Sequence, residues 1–438
     1  MISTNYYLNY YNLIKVTLFF LLIGNLARSF LKTPSATIEL LMLGSLLFFS
    51  IIYAAQNYTA TKGSSFVFLI FLFYLLIHTI SASIIRPFDL NTSFFLTLQF
   101  NLLEFRISTL SYFLPLIFMP LNKENIIKLE EFFYILIKIA IAYTIFEQVV
   151  SLMGFRSFFE TLYSNSGVVS ENQIGVKSLG MYRIWGLVGS PQLLGVFHIM
   201  TLFFMLHKSD HFWAKLSFLA IIFSTSKTAY LILITMILFY LLYKKKYALV
   251  ILTTIFIFIG TVLLFNFYFH LIESQSYDYF SFRQFMGSIT GYINLLMNVE
   301  NVSHHDGFAP GGPLYRLIIY YNLNPMELVL GKGITYSFMQ DNLISDSPFS
   351  NYLYLTSDFY ILTYFEQYGV VGLLLLTYIF LIYPFKKLIN ENSYLNFIPI
   401  IFFISMLHYP PQISKLMMII AAYPLWNIYL NNDKQSET

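Results

Sequence analysis

The chain alternates between long apolar runs and short polar breaks from one end to the other. A helix needs about 20 apolar residues to cross the roughly 30 Å hydrocarbon layer of a bilayer. On that ruler the pattern predicts spans near 12–31, 37–56, 65–85, 107–122, 131–153, 187–206, 213–226, 228–243, 247–268, 358–383, 395–409 and 413–430. The fourth and the seventh are short for a crossing. The expected fold is therefore all-α, a polytopic membrane protein of about twelve transmembrane helices forming one membrane domain over 1–438. Two polar connections are long, 154–186 and 269–357, and only the second has room for an extramembrane subdomain. Its Gly307, Pro310, Gly311, Gly312 and Pro313 mark turns rather than regular structure.

Composition sharpens the class. Of 438 residues 57% are hydrophobic and only 11% charged, too few to clothe a water-facing exterior; an ordinary soluble domain carries about twice that charge. Aromatic residues reach 19%, which suits lipid-facing and interfacial positions. The absence of cysteine excludes disulfides, thiol nucleophiles and thiolate metal sites. A net charge of +3 gives no reason to expect nucleic acid as a partner. Lys15 opens an apolar stretch reaching Ala27 without a small-residue cleavage site behind it, so the first helix is expected to be retained.

Lysine placement orients the spans. Lys244, Lys245 and Lys246, together with Lys386 and Lys387, fall in breaks that the positive-inside rule assigns to the cytoplasm. Both termini then lie in the cytoplasm, and the two long connections lie outside. In this arrangement Arg28, Arg86, Arg106, Arg156, Arg183, Arg283 and Arg316 all fall on the outer side. Arginine offers a rigid bidentate fork to phosphate or carboxylate, which lysine cannot. An outer cavity for anionic groups would use that fork, although ordinary loop chemistry accounts for the pattern as well.

Four outer segments hold most of the suggestive residues. Arg183-Ile184-Trp185-Gly186, followed by Ser190-Pro191, sets a cation beside an aromatic ring that could stack on a sugar; a snorkelling interfacial pair has the same appearance. Ser224-Thr225-Ser226-Lys227-Thr228 places hydroxyls and a cation at a helix end, a setting for an anion or for a plain solvated hairpin. Arg316 precedes Leu330-Gly331-Lys332-Gly333-Ile334, whose glycines permit close backbone approach. This is not a nucleotide-binding loop, since the closing Lys-Ser/Thr is missing. Thr356-Ser357-Asp358-Phe359-Tyr360 runs into Glu366-Gln367-Tyr368-Gly369-Val370-Val371-Gly372; Asp358 is a candidate general base, or a helix N-cap. His304-His305-Asp306 supplies a weaker candidate, with His305 as a binding residue and no metal expected. Lys138, inside the fifth span, is expected to pair with Glu147 or line a cavity.

In their order along the chain these segments resemble the O-antigen polymerase and ligase superfamily. The likeness covers roughly 180 to 385: Arg183-x-x-Gly186 near Ser190-Pro191, the Ser224-x-Ser226-Lys227 turn, Arg316 upstream of Leu330-Gly331-Lys332-Gly333, and Ser357-Asp358-x-Tyr360 before Gly369-Val370-Val371-Gly372. The spacing departs from the family in one place, since Arg183 to Gly195 is one residue longer than its pattern of arginine, ten residues and glycine. The resemblance implies a GT-C-like glycosyltransferase of the bacterial inner membrane. Its substrate would be an undecaprenyl-diphosphate-linked oligosaccharide, with membrane lipid around it, a chain-length regulator protein as partner, and no cofactor. It implies catalytic roles for Arg183, Arg316 and Asp358, and substrate binding by Trp185, Ser226, Lys227, His305, Lys332 and Glu366. Asp358 stands where ligases carry a His-Asn pair, which favours polymerisation of repeat units into O-antigen or capsular polysaccharide. A ligase that moves finished glycan to another acceptor, and a flippase for lipid-linked oligosaccharide, stay open beside it.

Overall fold

The computed structural model describes residues 4–31, 35–57, 63–90, 95, 105, 109–164, 177–178, 181–273, 325–331, 360–391, 393–407, 411 and 414–425. Helices lie over every predicted span. They are α1 (Thr4–Leu31), α2 (Ser35–Asn57), α3 (Gly63–Leu90), a 3-10 helix (Thr109–Phe118), α4 (Lys123–Val150), α5 (Arg156–Ser164), α6 (Pro191–His207), α7 (His211–Phe223), α8 (Lys227–Tyr243), α9 (Tyr247–Glu273), α10 (Pro325–Leu330), α11 (Tyr360–Thr377), α12 (Tyr383–Glu391), α13 (Phe397–Ser405) and α14 (Lys415–Ala422). Among the described residues the extended structure is a two-residue antiparallel ribbon, Lys177–Ser178 against Met181–Tyr182, which leads directly into Arg183.

Three helical stretches among the described residues are long and apolar enough to cross a membrane: Lys123–Tyr163, Tyr247–Phe267 and Gln367–Glu391. The fourth predicted span is a ten-residue 3-10 helix with Pro115 inside it. At about 2.0 Å per residue it reaches only about 20 Å. None of Tyr247–Phe267 is buried within the protein, and large side chains such as Phe256 and Phe258 are mostly exposed. An apolar surface that continuous is matched by lipid tails and not by water.

The predicted connection 154–186 begins as structure. Helix α4 continues through a π turn, Ser151–Phe155, and kinks at Gly154, where φ is +96°. Helix α5 follows, with Phe159, Leu162 and Tyr163 on one buried stripe at helical spacing and Phe155 and Phe158 outside. In the other long connection, α9 extends to Glu273 and α10 forms at Pro325–Leu330.

Helices α6, α7, α8 and α9 are joined by three turns of one design. A single residue in left-handed conformation, Ser209, Thr225 or Lys245, separates the C-cap of one helix from the N-cap of the next. Asp210 caps α7 by accepting from Trp213 N–H, and Ser226 caps α8 by accepting from Ala229 N–H. Helix α4 packs beside α6 and α7, with Tyr134 donating to Asp210 and Thr144 bonding His198 at 2.8 Å.

Candidate functional site

The site is built on a buried carboxylate. Glu147, near the end of α4, has no exposure to solvent. Burying an ion is costly unless it is paired and fully hydrogen-bonded, and here four donors surround it. Trp185 N–H and Gly186 N–H reach it at 3.1 and 2.8 Å, the Tyr163 hydroxyl at 2.7 Å and the Arg156 guanidinium at 3.3 Å. Arg156 in turn donates to the carbonyl of Arg183 at 3.1 Å and faces the Tyr182 ring. The kink at Gly154 is what folds α5 back, so that Arg156 and Tyr163 meet a residue earlier on the same helical run. The Arg183–Gly186 backbone is thus gripped by three side chains from α4 and α5.

Glycine then closes the site on its other wall. A Cβ at Gly195 on α6 would lie 2.4 Å from the Ala229 Cβ and 2.7 Å from the Ser224 hydroxyl. Nothing larger than glycine fits, and the turn Ser224–Ser226 therefore sits directly against the start of α6. Lys227 follows that turn, just before the apolar run of α8. Burial lowers its pKa from the ordinary lysine value, and repulsion from Arg183 lowers it further. The first two sequence segments therefore meet at the start of α6, Gly186 against Leu194 and the Ser224–Ser226 turn against Gly195.

The other two segments meet elsewhere. Gly331 and Gly369, both with positive φ, pack backbone against backbone: a Cβ at Gly369 would stand 2.3 Å from the Val329 carbonyl oxygen. The Tyr74 hydroxyl bridges the carbonyls of Leu330 and Tyr368 at 2.8 and 2.7 Å. The close approach expected of the Leu330-Gly331 glycine is found there. Arg316, Lys332, His305 and Asp358 lie outside the described residues. Glu366 belongs to α11, and its side chain lies outside them too.

Two expectations need correction, on the Trp185 ring and on Lys138, while Ser226 also takes a structural role. The Trp185 ring is 7% exposed and packs with Phe159, Leu162 and Tyr163, so its face is not open to stack on a sugar. The Ser226 hydroxyl is engaged as the α8 cap. Lys138 does not pair with Glu147, which lies about two and a half turns further along α4 and so on the opposite face; it pairs with Asp210 at 3.2 Å and lies over the Tyr134 ring. The sequence also missed Gln148. A fully buried amide beside a buried carboxylate, in an otherwise apolar run, was its signal.

What the fold defines is a class: an all-α chain with helices long and apolar enough to cross a membrane, and a buried polar anchor at one end of α4. Comparison with protein-family models, curated proteins and solved structures finds no match to this chain.

Proposed function

We propose that the protein polymerises polyprenyl-diphosphate-linked oligosaccharide repeat units at the outer face of a bacterial inner membrane, through about twelve spans with both termini cytoplasmic. The observation that carries this reading is the meeting of two segments at the start of α6: Arg183–Gly186, its backbone fixed by Glu147 and Arg156 and packed on Leu194, and the Ser224–Ser226 turn, packed on Gly195 with Lys227 next to it. A lipid diphosphate would bring two or more negative charges to the cations of these two segments. Arginine and lysine divide that work, the fork for bidentate contact and the ammonium as a point charge. In the reaction the acceptor hydroxyl would attack the anomeric carbon of the donor, and the carbon–oxygen bond to the lipid diphosphate would break. The cations would stabilise the charge that grows on that leaving group.

The test is Arg183→Ala in cells whose surface polysaccharide depends on this protein. The polymer ladder should collapse to a single repeat unit while the protein stays in the membrane, and Arg183→Lys should rescue poorly. A full ladder from Arg183→Ala would remove the residue from the mechanism. Topology is tested by placing a cysteine at Lys245 in this cysteine-free chain. It should react with an impermeant thiol reagent only after the inner membrane is opened, and labelling of intact spheroplasts would invert the model.

A further inference from the structure

Three side chains at the Arg183 end keep buried polar atoms with no hydrogen-bond partner among the described residues: both amide atoms of Gln148, the indole Nε1 of Trp185 and the hydroxyl of Thr225. Each residue is less than a tenth exposed. Buried polar groups are nearly always paired, and an amide unpaired at both ends is rarer still.

The helix registers bring these groups to one level. Contacts of Glu130 with Lys208 and of Thr144 with His198 show that α4 and α6 run antiparallel. One turn beyond Thr144 is Gln148, and one turn before His198 is Leu194. Leu194 adjoins Gly195, whose close approach to Ser224 fixes the height of the Ser224–Ser226 turn. Gly186 abuts Leu194 and is itself held by Glu147, the neighbour of Gln148. Thr225, moreover, adopts φ +50°. Of the three residues in such turns it is the β-branched and buried one, and a β-branched side chain is strained there.

We propose that Gln148, Thr225 and the Trp185 indole N–H form a binding site for a hydroxyl or acetamido group of the sugar next to the lipid diphosphate. The site is closed in this structure, and relaxation of the strained Thr225 turn would open it. The chemistry selects the ligand. A diphosphate only accepts hydrogen bonds, so it could satisfy the indole, the hydroxyl and the amide nitrogen. It would leave the Gln148 carbonyl oxygen without a donor. A sugar hydroxyl or acetamido N–H supplies one. This inference rests on the proposed function, because the sugar is placed by the diphosphate on Arg183 and Lys227.

The test uses the full chain in phosphatidylcholine nanodiscs, with two probes: undecaprenyl diphosphate, and the same lipid carrying N-acetylglucosamine. The wild type should bind the sugar-bearing lipid at least about tenfold more tightly, the effect of one good buried hydrogen bond. Gln148→Leu should bind both lipids equally, with the wild-type affinity for the bare one. Its melting temperature without ligand should not fall, because an unpaired amide is being removed; Gln148→Met serves if the leucine variant does not accumulate. Equal wild-type affinities, a preference that survives Gln148→Leu, or a large loss of stability in both variants would each overturn the site. Displacement of the sugar-bearing probe by phosphatidylglycerol would assign the site to a bulk lipid headgroup and overturn it as well. Failure of the wild type to bind either probe would instead remove the diphosphate reading on which the inference stands.

Discussion

The two ends of α7 carry the same backbone turn with opposite chemistry. At the Ser209 turn the polar groups are matched: Asp210 caps the helix, accepts from Tyr134 and pairs with Lys138, while Lys208 bonds Glu130 at 2.7 Å and reaches Glu131. The Tyr134 hydroxyl, with Trp213 N–H and Lys138 behind it, holds the Asp210 carboxyl below the usual carboxylate range against the opposing effect of burial. Burial works against the Lys208 ammonium too, and its bonds to Glu130 and Glu131 outweigh that and raise it. At the Thr225 turn a β-branched residue is held left-handed, and buried polar atoms of Gln148, Trp185 and Thr225 have no hydrogen-bond partner among the described residues. The same turn geometry thus has all its polar groups matched at one end, and at the other leaves buried polar atoms without a hydrogen-bond partner among the described residues.

Removing the anchor of each end should have unequal effects. Glu147→Leu takes the buried carboxylate from Arg156, leaving it a longer contact with Glu160 at 3.8 Å, and frees two backbone N–H groups; it should cost about 3–5 kcal/mol. The loss would appear as a large drop in melting temperature of the purified protein. An unchanged temperature would show that the 183–186 segment is held by other means. Asp210→Asn should cost at most about 1 kcal/mol, because the pair with Lys138 is partly exposed and asparagine still caps a helix. The sign of its pH effect is fixed. A carboxylate lowered on folding lends stability that is complete above its ordinary value near about 3.9 and is lost as pH falls through the folded value. The wild type should therefore lose slightly more stability than Asp210→Asn as pH falls from roughly 5 to 2. Parallel curves for the two proteins would remove the Asp210 contribution.

Much of the frame was legible in the chain itself. Apolar runs of helical length lie under most of the helices, with α5, α10 and α12 as exceptions, and the segments at Arg183 and Lys227 were visible as polar islands at helix ends. Their meeting was not visible, because it depends on the bare surface of Gly195, whose role appears only when Ser224 and Ala229 are seen against it. The partner of Glu147 was misread for want of a helical-wheel count, since Lys138 projects from the opposite face of α4. Its true partner, Arg156, lies beyond the Gly154 kink, and a kink with positive φ cannot be placed from hydropathy. Trp185 was legible as an interfacial aromatic, but α5, which buries its ring, read as loop.

An anion site at the Arg183 end, and none at the Asp210 end, would show in thermal unfolding of the full chain in nanodiscs with and without saturating undecaprenyl diphosphate. A ligand at a hundred times its dissociation constant stabilises the folded state by about 2.7 kcal/mol. The melting temperature should rise clearly in the wild type and equally in Asp210→Asn, and should not rise in Arg183→Ala. No rise in the wild type, or the same rise in Arg183→Ala, would contradict the account.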